Sequence, residues 1–109
     1  MIQKKLPSLA LSTLLLAAGP ALADEAAQMA LGKKLFNTAT PACAVCHTLK
    51  DAGAEGAIGP VLDELQPDAD RVTRAMRNGI GSMPSFKGTL SDAEIAAVAL
   101  YVSRASRGK

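Results

Sequence analysis

Five consecutive residues, Cys43-Ala44-Val45-Cys46-His47, concentrate the reactive chemistry of this chain. Two thiols separated by two residues can each add across one vinyl group of a porphyrin. The residue that follows, His47, is then fixed beneath the iron, where its imidazole becomes the proximal ligand. Other uses of the same residues fit less well. A thioredoxin-like dithiol needs a βαβ setting, and no such pattern surrounds the motif. A structural zinc site needs four ligands, whereas Cys43, Cys46 and His47 are the only Cys and His in the sequence. A two-residue disulfide would leave His47 without a role. The C-x-x-C-H spacing therefore points to one covalently attached c-type haem, held by thioethers at Cys43 and Cys46 with His47 on the iron.

The sixth iron position narrows by elimination. With His47 engaged there is no second histidine, so bis-histidine ligation within one chain is excluded. Beyond residue 24 the methionines are Met29, Met76 and Met83. Met29 and Met76 fall in helical patterns, where filling gaps in a core is their ordinary work. Met83 sits in a loop 36 residues after His47. Gly79 and Gly81 there allow close backbone approach, and Pro84 stiffens the far side. Met83 is the expected second axial ligand; core packing or an open iron position are the alternatives.

Three helices must position these residues. The first is expected from Glu25 to Phe36, with Asp24 and Glu25 at its start and Lys33 and Lys34 near its end, as the helix dipole favours. Leu31 with Leu35, and Gly32 with Phe36, are each four residues apart and stack on the helix surface. Thr40-Pro41 stops it. From Lys50 to Gln66 the composition is that of a loop, with a short turn at Val61, Leu62 and Leu65. Asp63 and Glu64 are expected to face water. A second helix is expected from Pro67 to Asn78, capped by Gly79, with Val72, Ala75, Met76 and Ile80 at helical spacing. Ser91-Asp92-Ala93-Glu94 is a capping box for a third, whose stripe of Ile95, Val98, Ala99 and Val102 runs to about Ser106. No strand pattern is evident, and an all-α domain follows.

Composition agrees with a small globular domain. Of 109 residues, 49% are apolar, which excludes a disordered tail, and no run of like charge supports a nucleic-acid partner. Residues 1–23 read as a cleaved signal peptide. Lys4 and Lys5 precede an apolar stretch at Leu9 to Ala18, and Ala21-Leu22-Ala23 is a small-x-small cleavage site. Ten apolar residues are too few to span a bilayer, which takes ~20, so no stable membrane insertion is expected after cleavage. Residues 24–109 then form one domain of 86 residues with formal net charge zero. Phe36, Phe86 and Tyr101 are its only aromatics. So small a core commonly needs a cofactor to fill it.

At this point the sequence resembles the class I cytochrome c family. The attachment motif carries the resemblance, which extends from Gly32-Lys33-Lys34-Leu35-Phe36 through the third helix. Gly59-Pro60 is similar to the family's Gly-Pro after the haem site. Asn78 to Phe86 is similar to its axial-methionine loop. Gly32 and Phe36 with Val98 and Tyr101 are similar to its contact between terminal helices. The resemblance implies a cytochrome c fold, with about three main helices wrapped around one haem c. It also implies that the Pro60 carbonyl accepts a hydrogen bond from His47 Nδ1, although Gly59-Pro60 alone is also an ordinary turn. Asn78 either hydrogen-bonds the Met83 sulfur or caps its helix. The chain has no Trp, so the haem propionates need other partners; Lys87, Arg71, Arg74 and Arg77 are candidates, each otherwise an ordinary solvated charge.

The function implied is one-electron transfer in the periplasm by a monomer that is not an enzyme. Its partners would be redox proteins, a donor dehydrogenase and an acceptor oxidase or other cytochrome, meeting it through small transient interfaces. Cys43 to Asp70 is similar to small cytochromes that accept electrons from periplasmic sulfite dehydrogenases. The alternative is a haem enzyme or gas-binding protein with a displaceable sixth ligand.

Overall fold

The computed structural model describes residues 2–5, 8 and 20–109. The apolar leader stretch Leu9 to Ala18 lies outside the described residues. Helix α1 spans Pro20–Thr38, beginning five residues before the expected Glu25. Proline is suited to a first helical position, because the N–H it lacks would have no partner there. The earlier start removes Asp24 and Glu25 from the first turn, and the extension to Thr38 removes Lys33 and Lys34 from the last. Tertiary ion pairs take the place of the expected dipole pairing: Glu25 pairs with Arg104, and Lys33 lies 3.5 Å from Asp51.

Helix α5, Asp92–Ala105, follows its sequence signal closely. Both halves of the capping box form: Glu94 N–H donates to Ser91 Oγ at 3.1 Å, and Ser91 N–H to Glu94 Oε1 at 2.9 Å. Helices α1 and α5 cross at Gly32. A Cβ there would strike the Ala97 carbonyl oxygen and lie 2.5 Å from Tyr101 Cβ, so only glycine permits this approach. One turn on, the Phe36 and Tyr101 rings meet edge to face, with centroids 6.1 Å apart. Val98, expected at this crossing, is buried in the core beside it.

Helix α4 covers Ala69–Asn78. Asp68 is its N-cap, accepting from Arg71 N–H at 2.7 Å; Pro67 and Asp68 thus precede the helix and do not begin it. Val72 and Met76 are buried, but Ile80 is 69% exposed because the helix has already ended, so it leaves the expected apolar stripe. Two single-turn helices complete the set, α2 at Cys43–Cys46 and α3 at Leu62–Leu65.

The expectation of no strands needs correction. β1 (Thr48–Leu49) pairs antiparallel with β2 (Ala54–Glu55) across a 3-10 turn at Lys50–Ala52. Two residues per strand are too few to show alternation in sequence. Gly53 closes the turn at φ +64°, a conformation suited to glycine. Asp63 also departs from expectation: its carboxylate accepts from Lys50 N–H at 2.9 Å and anchors the ribbon to α3.

Candidate haem site

Helix α2 presents both cysteines and then releases the chain. His47 is extended, at φ −118° and ψ 140°, while its N–H still donates to the Cys43 carbonyl at 2.9 Å. The imidazole is fixed by one bond, Nδ1–H donating to the Pro60 carbonyl at 2.8 Å, which leaves Nε2 for a metal. The loop bringing Pro60 into place lies directly on the motif. Gly59 N–H donates to the Cys46 carbonyl at 2.7 Å, and Thr48 Oγ1 to the Gly56 carbonyl at 2.9 Å. A Cβ on Gly56 would come within 2.6 Å of the Cys46 and His47 backbone, and one on Gly59 within 2.6 Å of His47 Cε1. Both positions require glycine for this close approach.

Met83 is held on the opposite side by a different device. Gly79 ends α4 at φ +68°, where a Cβ would lie 2.8 Å from the Met83 carbonyl oxygen. Ile80 and Met83 then exchange both backbone bonds, at 3.0 and 2.9 Å, around Gly81 and Ser82. Phe86 N–H returns to the Met76 carbonyl at 2.7 Å, and Ser85 Oγ to the Arg77 carbonyl at 2.6 Å. These bonds tie the turn to the end of α4.

A cleft lies between the two sides. Its larger lobe has a volume of about 420 Å³ and its smaller about 250 Å³. Both are lined by Cys43, His47, Pro60, Ile80 and Met83, and Cys46 joins the smaller. The walls are largely apolar, and among the described residues no carboxylate lines either lobe. An apolar cleft with two thiols, one oriented imidazole and one thioether fits haem c. Burial pushes the Cys43 thiol up to about 11, and nearby Cys46 adds to the shift against a lowering backbone bond.

The other expected site residues separate. Arg71 and Arg74 line the larger lobe, whereas Arg77 pairs with Asp92 at 3.1 Å and Lys87 lines neither lobe. Asn78 borders the larger lobe as the last residue of α4. Among the described residues its side chain makes no hydrogen bond, either to the Met83 sulfur or as a cap. The Gly79 N–H, donating to the Ala75 carbonyl at 2.8 Å, closes that helix instead. Three contributors went unread in the sequence. Gly56 lies in the Lys50–Gln66 stretch, for which the sequence gives only the composition of a loop. Asp51 accepts from Tyr101 Oη–H at 2.5 Å, tying α5 to the ribbon after the motif. Arg107 donates to the Gln66, Pro67 and Ser103 carbonyls and clamps the entry to α4. Contacts spanning some forty or fifty residues leave no local signal. Burial, followed by the bond to Asp51, raises the Tyr101 hydroxyl well above its ordinary value.

The chain is similar to known proteins. The family model described as cytochrome c oxidase, cbb3-type, subunit III matches residues 27–102. A cytochrome c6 from Leptolyngbya boryana is 37% identical over 87 residues, covering 75% of this chain and 99% of that protein. The chain belongs to the class I, monohaem cytochromes c. A cytochrome c6 from Tetradesmus obliquus is 36% identical over 86 residues, covering 70% of this chain and 89% of its own length. The crystal structure of the c-type cytochrome SorU from Sinorhizobium meliloti is 54% identical, with a TM-score of 0.72 over 74% of this chain and 93% of that one. As a cytochrome c the protein carries one covalently bound haem c and transfers electrons. Among the described residues no helix is long and apolar enough to cross a membrane.

Proposed function

We propose that this cytochrome c is an exported periplasmic carrier whose haem iron is held by His47 and Met83. The observation that carries the reading is the shared cleft: His47 and Met83 line both lobes, from loops fixed by separate hydrogen-bond systems. The haem, when bound, supplies one-electron cycling between Fe(II) and Fe(III). The chain's own residues orient the imidazole, offer the thioether and keep water from the iron. Two protein ligands leave no open coordination position for a substrate, so the reading is a carrier and not an enzyme. Thioether ligation in a buried site favours Fe(II) and raises the reduction potential.

Electron exchange takes place at the smaller lobe. Ile58 and Ile80, 72% and 69% exposed, stand at its mouth, and no charged residue lines it. Such a rim suits brief contact with redox proteins at the low end of interface area. The donor is a periplasmic dehydrogenase such as a sulfite dehydrogenase. The resemblance of Cys43 to Asp70 to small cytochromes that accept electrons from such enzymes supports this. Export rests on the leader pattern, with the mature chain starting at Asp24.

Two measurements test the reading. Intact mass of protein recovered from the periplasm is expected to correspond to Asp24–Lys109 plus one haem; retention of residues 1–23 would contradict the export claim. Mixed with sulfite and a catalytic amount of sulfite dehydrogenase, the oxidised protein is expected to be reduced within the enzyme's turnover time. Reduction no faster than with sulfite alone would remove that partner.

A further inference from the structure

The chain passes from α3 to α4 through a strained corner. Gln66 stands there at φ 46° and ψ 57°, the one non-glycine residue at positive φ among the described residues. A side chain is crowded in that region, and a residue before proline favours extended backbone, so such a corner persists only where its surroundings hold it. Leu65 and Pro67, on either side of Gln66, both line the larger lobe. The corner is therefore part of the cleft wall.

Its support comes from about 40 residues away. Just past α5, Arg107 Nη2 donates to the Gln66 carbonyl at 2.6 Å, and Nη1 to the Pro67 carbonyl at 3.0 Å and the Ser103 carbonyl at 2.5 Å. Gln66 Nε2 donates in return to the Ser106 carbonyl at 3.4 Å. The turn closing α5 seats the arginine: Gly108 N–H donates to the Ala105 carbonyl at 3.1 Å, and Lys109 N–H to the Arg104 carbonyl at 2.9 Å. Among the described residues no carboxylate pairs with Arg107, so its fork serves backbone carbonyls alone. A planar guanidinium can bridge several acceptors at fixed angles, which a lysine ammonium cannot.

Helix α4 begins two residues beyond Pro67 and is ten residues long. Its far end is bonded to the Met83 turn through the Met76 and Arg77 carbonyls, so helix and turn move together. We infer that Arg107 is a positioning residue for the sixth iron ligand. By fixing the corner it holds the cleft wall and α4 where Met83 faces the iron, and so sets how readily an incoming ligand displaces the thioether. The inference rests on the Met83 reading above. An external ligand binds only the fraction of molecules with Met83 off the iron, so its apparent affinity rises in proportion to that fraction.

The experiment titrates oxidised holo-protein with imidazole and follows loss of the red sulfur-to-iron band, for the parent, R107Q, R107K and the control R104Q. Arg104 also lies on α5 but pairs with Glu25 of α1, away from the corner. Denaturant melts of each variant separate a ligand effect from general loosening. R107Q is expected to bind imidazole about tenfold more tightly than the parent, with R107K between them and R104Q matching the parent whatever stability it loses. R107Q no tighter than the parent, or R104Q tightened as much for the same loss of stability, would overturn the inference. A parent lacking the band would refute Met83 ligation and this inference with it, whereas a parent with the band and an indifferent R107Q refutes this inference alone. Should R107Q fail to load haem, proton magnetic resonance of the unmutated protein decides. Separate, slowly exchanging Arg107 guanidinium signals are expected; one averaged signal exchanging as in free arginine would refute the clamp.

Discussion

The two sides of the cleft are built unequally. On the histidine side the backbone is pinned through Cys46, Gly56 and Gly59, and the imidazole donates directly to Pro60. On the methionine side a two-residue turn is tied back to α4, and Met83 is placed by the backbone pair it makes with exposed Ile80 and by packing against the core, with no side-chain hydrogen bond of its own among the described residues. Both sides have a glycine that tolerates no Cβ, but one ligand is also fixed by its own side-chain bond. The other depends on the turn that carries it. If a ligand leaves the iron, it should be Met83.

The largest effect comes from removing the histidine side's covalent anchors. Replacing Cys43 and Cys46 together with Ala should abolish haem attachment and leave the domain largely unfolded, because the cofactor fills the cleft of a small core. Circular dichroism checks this; a fully helical, cooperatively melting apo-protein would show that the polypeptide core suffices.

A smaller break is Gly59→Ala. Its Cβ would press on His47 Cε1, and overpacking of this kind costs about 1–3 kcal/mol. Lower thermal stability with a perturbed spectrum is expected. By contrast Gly81→Ala meets nothing within 4 Å and bears only the strain of φ +55°, so it should cost less. Equal losses at the two glycines would erase the proposed asymmetry.

Tyr101 tests whether the fold's far anchor contributes through its proton. Its raised value means that the Tyr101–Asp51 bond stabilises the fold fully below the tyrosine's ordinary 10.0 and is lost as pH rises beyond it. Tyr101→Phe should cost about 1 kcal/mol at neutral pH, and its gap from the parent should shrink in alkali. Denaturant melts at neutral and alkaline pH check this; a gap that stays constant would place the effect in packing.

Ser91→Ala is the smallest perturbation. Losing the α5 cap should cost about 1 kcal/mol while leaving the haem spectrum unchanged, since Ser91 lines neither lobe.

Legibility in the sequence followed the range of the interaction. The α5 start was plain because a capping box spans four residues. The C-x-x-C-H motif was plain because its chemistry needs adjacent side chains. Gly32 and Phe36 were legible through resemblance, and the structure supplies the physical reason in the close helix crossing. The β1–β2 ribbon was hidden by its brevity. The early α1 start was hidden because Pro20 reads equally as a breaker and as a first helical residue. The roles of Asp51, Asp63 and Arg107 depend on partners 50, 13 and about 40 residues away. Which arginines face the cleft required the helix phase of α4, because composition treats Arg71, Arg74 and Arg77 alike.

The central claim, that Met83 fills the sixth iron position and makes this protein a carrier, is tested by carbon monoxide binding to the reduced protein beside Met83→Ala. The unmutated protein should bind the gas poorly at neutral pH and show, when oxidised, the weak sulfur-to-iron band at the red edge of the visible spectrum. Met83→Ala should lose that band, bind carbon monoxide readily and have a lower reduction potential. Rapid binding by the unmutated protein, unchanged by Met83→Ala, would contradict the account and favour a gas-binding or peroxidatic haem.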